Sequence, residues 1–123
     1  MQLNPVVWFE IYVQDIERAK SFYEKVFEIT MQKMDDPNMQ MFFFPMDEKS
    51  MGAGGAILKW DGVPSGGNST LVYFNCEDCA VEAGRVVASG GRIFKEKLSI
   101  GQHGFIALVF DTEGNMIGLH SMK

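Results

Sequence analysis

No stretch of the 123-residue sequence approaches the length of a membrane span, and its start shows no basic flank followed by an apolar core. A membrane span needs about 20 consecutive apolar residues, so no membrane partner is expected. Basic charge is scarce: 11 Lys and Arg stand against 16 Asp and Glu, for a net charge of −5. With no Lys/Arg cluster, the chain lacks the electrostatic footprint of a nucleic-acid binder. Only two cysteines are present, three residues apart. They make no disulfide framework and cannot form a four-cysteine zinc site, so a reducing, cytoplasmic setting is expected. Cys76 and Cys79 share a C-x-x-C spacing next to a helix start, where a redox pair would sit, but their apolar counterparts in the repeat described below favour buried structural thiols.

What the chain has instead is apolar patterning. It is 46% hydrophobic and 22% charged, with nine Met and ten Phe, and its length suits one domain with a substantial core. Residues 4–13 alternate as a half-buried strand. Val7, Phe9, Ile11 and Val13 form one face, and Trp8, Glu10 and Tyr12 the other. At Asp15 the period changes to that of a helix. Asp15 is a natural N-cap, and Ile16, Ala19, Phe22, Tyr23, Val26 and Phe27 make one apolar stripe. Short strands follow at 30–34, 39–46 and 54–60. The run Met39 to Phe44 reads as a strand buried on both faces. The glycines at 52, 54 and 55 precede a strand instead of opening a helix, so they read as a turn or bulge and not as a phosphate cradle.

Residues 61–68 (DGVPSGGN) form the most linker-like stretch, and the pattern then restarts. A strand at 70–76, a helix at 78–89 and strands at 92–97, 105–110 and 115–121 give a second β-α-β-β-β unit. His103 falls in a loop between two of these strands. Asp15 and Asp78, both at helix starts, set an offset of 78 − 15 = 63, which pairs Trp8 with Leu71 and Glu10 with Tyr73. For the fourth strands a different offset reads best, placing Ile57 on Met116 and Lys59 on Gly118. The expected fold is α+β: one domain of two tandem βαβββ modules, at about 4–60 and 69–121.

The run Val13-Gln14-Asp15-Ile16-Glu17-Arg18-Ala19 with Phe22-Tyr23, the Gly90-Gly91 stop and the turn Asp111-Thr112-Glu113-Gly114-Asn115 together resemble the vicinal oxygen chelate superfamily. That group includes glyoxalase I, bleomycin-resistance proteins and extradiol dioxygenases. The resemblance implies that each module curls its sheet into a cup and that two cups enclose a pocket, in many members across a homodimer. In the metalloenzymes of the group, His, Glu or Gln from the first and fourth strands of each module bind a metal. Carried onto this chain, those positions fall on Trp8, Leu71, Lys59 and Gly118, none a usual ligand, so no metal and no cofactor is expected.

Period-two spacing then gives an expected cavity lining of Trp8, Glu10, Tyr12, Ile57, Lys59, Tyr73, Met116 and His120. That mixture suits a small organic ligand. Two main readings of its polar groups stand open, beside a shifted metal site on Glu10 and His120, where two ligands are too few for a closed tetrahedral zinc site. Glu10 and His120 could form an acid/base pair, with Lys59 or Tyr73 orienting a ligand oxygen. Alternatively, Glu10 neutralises Lys59 and His120 is a satisfied hydrogen-bond donor. The corresponding functions are a metal-free binding protein of the bleomycin-resistance type and a metal-independent glyoxalase-like lyase or isomerase.

Overall fold

In the computed structural model, which describes residues 6, 8–68 and 70–123, the order of elements is β1 (Trp8–Tyr12), α1 (Ile16–Phe27), β2 (Gln32–Met34), β3 (Gln40–Phe43), β4 (Gly54–Lys59), β5 (Val72–Asn75), α2 (Cys79–Val86), β6 (Arg92–Ser99), β7 (Phe105–Phe110) and β8 (Met116–Ser121). Val7, expected on the core-facing side of the first strand, lies outside the described residues. No helix among them is long and apolar enough to cross a membrane.

The two modules are alike in topology. One sheet has the order β1-β4-β3-β2 and the other β5-β8-β7-β6, each with its first and fourth strands parallel and the rest antiparallel. Both helices begin as expected. The extended Asp15 accepts from the Arg18 N–H at 3.1 Å, and Asp78 accepts from the Ala80 N–H at 3.1 Å. α1 ends at Glu28, which adopts the left-handed conformation with φ 54°. The stripe Ile16, Ala19, Phe22, Tyr23 and Val26 is fully buried. It joins Ile11, Val13, Phe42 and Phe44 of the first module and Cys76, Val86, Val109, Ile117 and Leu119 of the second in one shared core. A smaller apolar cluster, Met41, Ala56 and Leu58 with Tyr12, Met34, Met39 and Phe43, occupies the opposite face of the first sheet. The Met39–Phe44 run is therefore apolar on both faces at Met41, Phe42 and Phe44, which are buried, while Met39 and Phe43 are half-buried and Gln40 is exposed.

The cysteines are free and buried. Burial, with Glu82 nearby, pushes the Cys76 thiol up to about 12. That is the reverse of the activation a redox thiol needs.

The fourth strand of the first module corrects the sequence reading. Glu10 pairs with Ala56 and Ile11 with Ile57, while Tyr73 pairs with Gly118. Ala56 is therefore the counterpart of Gly118, an offset of 118 − 56 = 62. The sequence alignment of these strands, at 118 − 59 = 59, was an odd number of residues away, and in a strand an odd shift exchanges the faces. Ile57 is in the core with no exposed surface. Lys59, paired with Gln40, lies on that same helix-facing side and not with Glu10.

Candidate functional site

The face of the sheets turned away from the helices carries the candidate site. On β1 it presents Trp8, Glu10 and Tyr12, backed by Gly54, Ala56 and Leu58 of β4. On the second sheet it presents Tyr73 and Asn75 beside Gly118 and His120, then Ile106, Leu108 and Phe110 of β7. The two parts meet at a seam between β1 and the β5–β8 pair. There a cleft of about 250 Å³ is lined by Glu10, Tyr12, Pro64, Asn68, Thr70, Val72 and Met116, among others. A second cleft of about 270 Å³, walled by Leu71, Phe110 and Gly114, shares Gly67, Asn68, Thr70 and Met116 with it.

The sequence reading treated 61–68 as a spacer, but it forms a wall of this seam. Its polar side chains hold it there. Ser65 donates to the Glu113 carbonyl at 2.7 Å, and the Asn68 side chain accepts from the Met116 N–H at 3.1 Å. The Gly66 N–H donates to Asn115 Oδ1 at 2.7 Å. The signal available beforehand was Ser and Asn set among the glycines, since short polar side chains bond readily to nearby backbone.

Glu10 is held within its own strand. Its Oε2 accepts from the Trp8 indole N–H at 3.3 Å and its Oε1 from the Tyr12 hydroxyl at 3.2 Å. Burial, and then the hydrogen bond to Glu10 and its charge, raise the Tyr12 phenol above its usual range. His120 lies on the other sheet. Its Nε2 is 2.6 Å from the His103 carbonyl. A carbonyl only accepts, so Nε2 carries a proton and donates to it. His103 enters through its backbone, from a short 3₁₀ turn at Gly101–His103. No hydrogen bond or ion pair joins Glu10 to His120 among the described residues. The structure thus gathers Glu10, Tyr12 and Met116 at the seam, with Trp8 on the same face of β1, and sets Tyr73 and His120 on the second sheet. Ile57 and Lys59 are removed to the other face.

The metal of the metalloenzymes does not fit these residues. With the fourth-strand correction, the four ligand positions implied by the resemblance are Trp8, Ala56, Leu71 and Gly118. An indole N–H is no ligand, and the other three side chains have no donor atom. At Gly118 a β-carbon would stand 2.2 Å from Cδ1 of Tyr73, so that ring lies where a ligating side chain would start. No group of three or more His, Cys, Asp or Glu comes together among the described residues.

The turn Asp111 to Asn115, the other part of the resemblance, does architectural work. Glu113 receives Arg18 through two bonds of 2.8 and 2.9 Å, the N–H groups of Gln14 and Asp15, and the Thr112 hydroxyl. Asp111 receives the Tyr23 hydroxyl at 2.7 Å, and Asn115 donates to the Tyr12 carbonyl at 2.8 Å. A turn of the second module thereby clasps β1 and α1 of the first.

Residues 6–45 match the family model described as bleomycin resistance protein-like N-terminal. No curated protein matches the chain by sequence. Among solved structures, an antibiotic-binding protein of Streptomyces superposes with a TM-score of 0.70 at 21% identity, covering 100% of this chain and 99% of that one. A glyoxalase/bleomycin resistance protein from Albidiferax ferrireducens gives 0.69 at 20% identity, over 94% of this chain and 98% of its own. Glyoxalase I from Zea mays gives 0.74 at 21% identity over 95% of this chain, which spans only 46% of the maize enzyme. The chain thus has the fold of the glyoxalase and bleomycin-resistance proteins, that of the vicinal oxygen chelate superfamily, and residues 6–45 within its first module match the bleomycin resistance protein-like N-terminal model.

Proposed function

We propose that the protein binds a small organic ligand at the seam between its modules, without the metal used by the enzymes of this fold. The observation that carries this reading is the coincidence of two features on one face. The seam holds adjoining clefts walled by Glu10, Tyr12, Met116 and the linker, and the four ligand positions beside them are Trp8, Ala56, Leu71 and Gly118. The lining is polar toward Glu10, Asn68, Thr70 and Asn115 and apolar toward Leu71, Phe110 and Met116, a combination that suits a small organic ligand with polar groups. The likeness to an antibiotic-binding protein over the full chain supports the same reading.

Two further features fit it. Trp8, Tyr73 and Phe94 remain 38%, 47% and 57% exposed, which suits closure of the cup by a second copy. The two free thiols suit a reducing cytoplasm.

The test is a thermal-shift screen of small organic compounds, each hit followed by product analysis. A binding protein returns its hits unaltered. Met116→Trp, which fills the cleft from one wall, is expected to weaken every hit at least tenfold while the apo protein keeps its melting temperature within about 2 °C. Hits of unchanged affinity in this variant would move the site elsewhere.

The enzymatic alternative, lyase or isomerase chemistry with Glu10 and His120 as an acid/base pair, has one observation behind it: both residues lie on the face of the sheets turned away from the helices. Against it, the two groups sit on separate sheets with separate partners. If product analysis finds turnover, Glu10→Gln and His120→Ala should each lower it at least a hundredfold; unchanged rates would end that reading.

A further inference from the structure

β1 is an edge strand, paired with β4 on one side only. The two run parallel, in register from Trp8 to Tyr12, and the Val13 N–H just beyond donates to the Leu58 carbonyl at 2.9 Å. Successive residues of a strand turn their N–H and C=O groups to opposite edges. The backbone groups of Phe9, Ile11 and Val13 therefore serve β4, and those of Glu10 and Tyr12 point away from it, across the seam.

One of these groups shows what the edge accepts. The Tyr12 carbonyl takes Asn115 Nδ2 at 2.8 Å, so a side-chain amide of the second module stands where the N–H of a further strand would be. The Tyr12 N–H and the Glu10 N–H and C=O meet no partner among the described residues. Unpaired backbone is ordinary at an edge that faces open water. This edge instead forms a wall: Glu10, Ile11 and Tyr12 line the cleft of about 250 Å³ together with Pro64, Asn68 and Val72. β5, across the seam, belongs to the other sheet and does not pair with β1.

The spacing of these groups sets what fits. The Glu10 carbonyl and the Tyr12 N–H flank Ile11 on one edge, and together they match one residue of an extended amide chain lying opposite Ile11. The N–H of that residue donates to the Glu10 carbonyl and its C=O accepts from the Tyr12 N–H, the pairing of adjacent parallel strands. An ester or a carboxylate brings acceptors alone and leaves the Glu10 carbonyl facing another oxygen. Asn115 already holds the carbonyl that such a chain would reach next, so the pairing covers one residue and suits a small molecule, not a long peptide.

We propose that the β1 edge is an amide-recognition site, and that the seam takes a small molecule with an extended, doubly amide-bonded residue, such as an N-acylated amino acid amide. The adjoining cleft, with Leu71, Phe110 and Met116, receives its apolar part. The inference rests on the ligand-binding reading above and adds the functional group by which the ligand is held.

The test uses three probes of nearly equal size: N-acetyl-L-phenylalanine N-methylamide, its Nα-methyl derivative, and its analogue with an ester oxygen in place of the α-N–H. Isothermal titration calorimetry of the full chain should find the parent amide bound at least fivefold more tightly than the ester analogue and at least tenfold more tightly than the Nα-methyl derivative. Met116→Trp should weaken the parent at least tenfold. In hydrogen exchange followed by NMR, saturation with the parent should slow the Tyr12 N–H at least tenfold, a readout that needs no variant. If the ester or Nα-methyl probe binds as tightly as the parent, or the Tyr12 N–H exchanges as before, the amide inference is overturned. The ligand-binding reading then stands on the loss of affinity in Met116→Trp. If no probe binds at millimolar concentration while the compound screen returns hits sensitive to Met116→Trp, the amide inference falls alone. If the screen is empty as well, both fall.

Discussion

Glu113→Ala should cost about 3 kcal/mol of stability at neutral pH, the loss expected when a buried carboxylate that accepts several backbone and charge-assisted hydrogen bonds is removed. The Glu113 side chain has no exposed surface, whereas Arg18 is half exposed. Burial alone would raise the Glu113 carboxyl. The Arg18 guanidinium, the Asp15 and Gln14 N–H groups and the Thr112 hydroxyl outweigh it and hold the carboxyl down at about 2, against an ordinary 4.5. A depressed carboxylate stabilises the fold above its unfolded-state pKa and loses that contribution as the pH falls through the folded value. The contribution is on the order of 3 kcal/mol and disappears between about pH 4.5 and 2. Asp111 opposes it in part. Burial holds its carboxyl above the usual range, so acid relieves a cost there, and the net acid destabilisation of the wild type is smaller than the Glu113 share alone. Urea denaturation of wild type and Glu113→Ala at several pH values reads both effects. The gap between the two proteins should be widest near pH 7 and narrow markedly by pH 2.5. A gap below 1 kcal/mol at pH 7, or one constant with pH, would show that the clasp does not hold the modules together.

How much of this was legible in the sequence depends on the scale of the signal. The helix of the first module was written plainly: an Asp N-cap and a stripe from Ile16 to Phe27 fix it through local chemistry, and the structure buries that stripe almost entire. The division into two βαβββ modules was legible for the same reason. The clasp was half legible. The Asp-x-x-Gly-Asn turn stood out, yet nothing local says that Glu113 reaches across 95 residues to Arg18. The fourth strand was the failure. From Gly52 to Leu58 the residues are small or apolar on both faces, because β4 is an inner strand with the core on one side and the cluster of Met41, Met34 and Tyr12 on the other. Where both faces are apolar, alternation carries no face label, and the register is set by neighbouring strands. An odd error there placed Ile57 and Lys59 in the cup. With Lys59 on the other face, none of the ion pairs among the described residues engages Glu10.

Tyr23→Ala should destabilise the fold by about 3–5 kcal/mol, as expected for truncating a buried aromatic. Tyr23 is completely buried at the place where the modules join. Its ring lies 5.1 Å from Phe22, 5.4 Å from Phe44 and 5.9 Å from Phe74, so it contacts both halves of the core. Its hydroxyl donates to Asp111 at 2.7 Å. Tyr23→Phe separates the two contributions. It keeps the ring and removes one donor from a buried carboxylate, at about 1–3 kcal/mol. The remaining donors to Asp111 are the Asn115 side chain and the N–H groups of Glu113 and Asn115. Losing the Tyr23 bond, which lowers the Asp111 carboxyl, leaves burial less opposed and raises that carboxyl further. A raised carboxyl takes up its proton more readily in the folded state, so the cost of Tyr23→Phe should shrink as the pH falls from 7 toward 3. Tyr23→Ala, whose cost is mainly lost packing, should keep most of its penalty over the same range. Thermal and urea unfolding of both variants at pH 7 and pH 3 gives the comparison. A Tyr23→Phe penalty equal at the two pH values would mean that the Asp111 bond contributes nothing to joining the modules, which would then rest on the aromatic core and on Glu113.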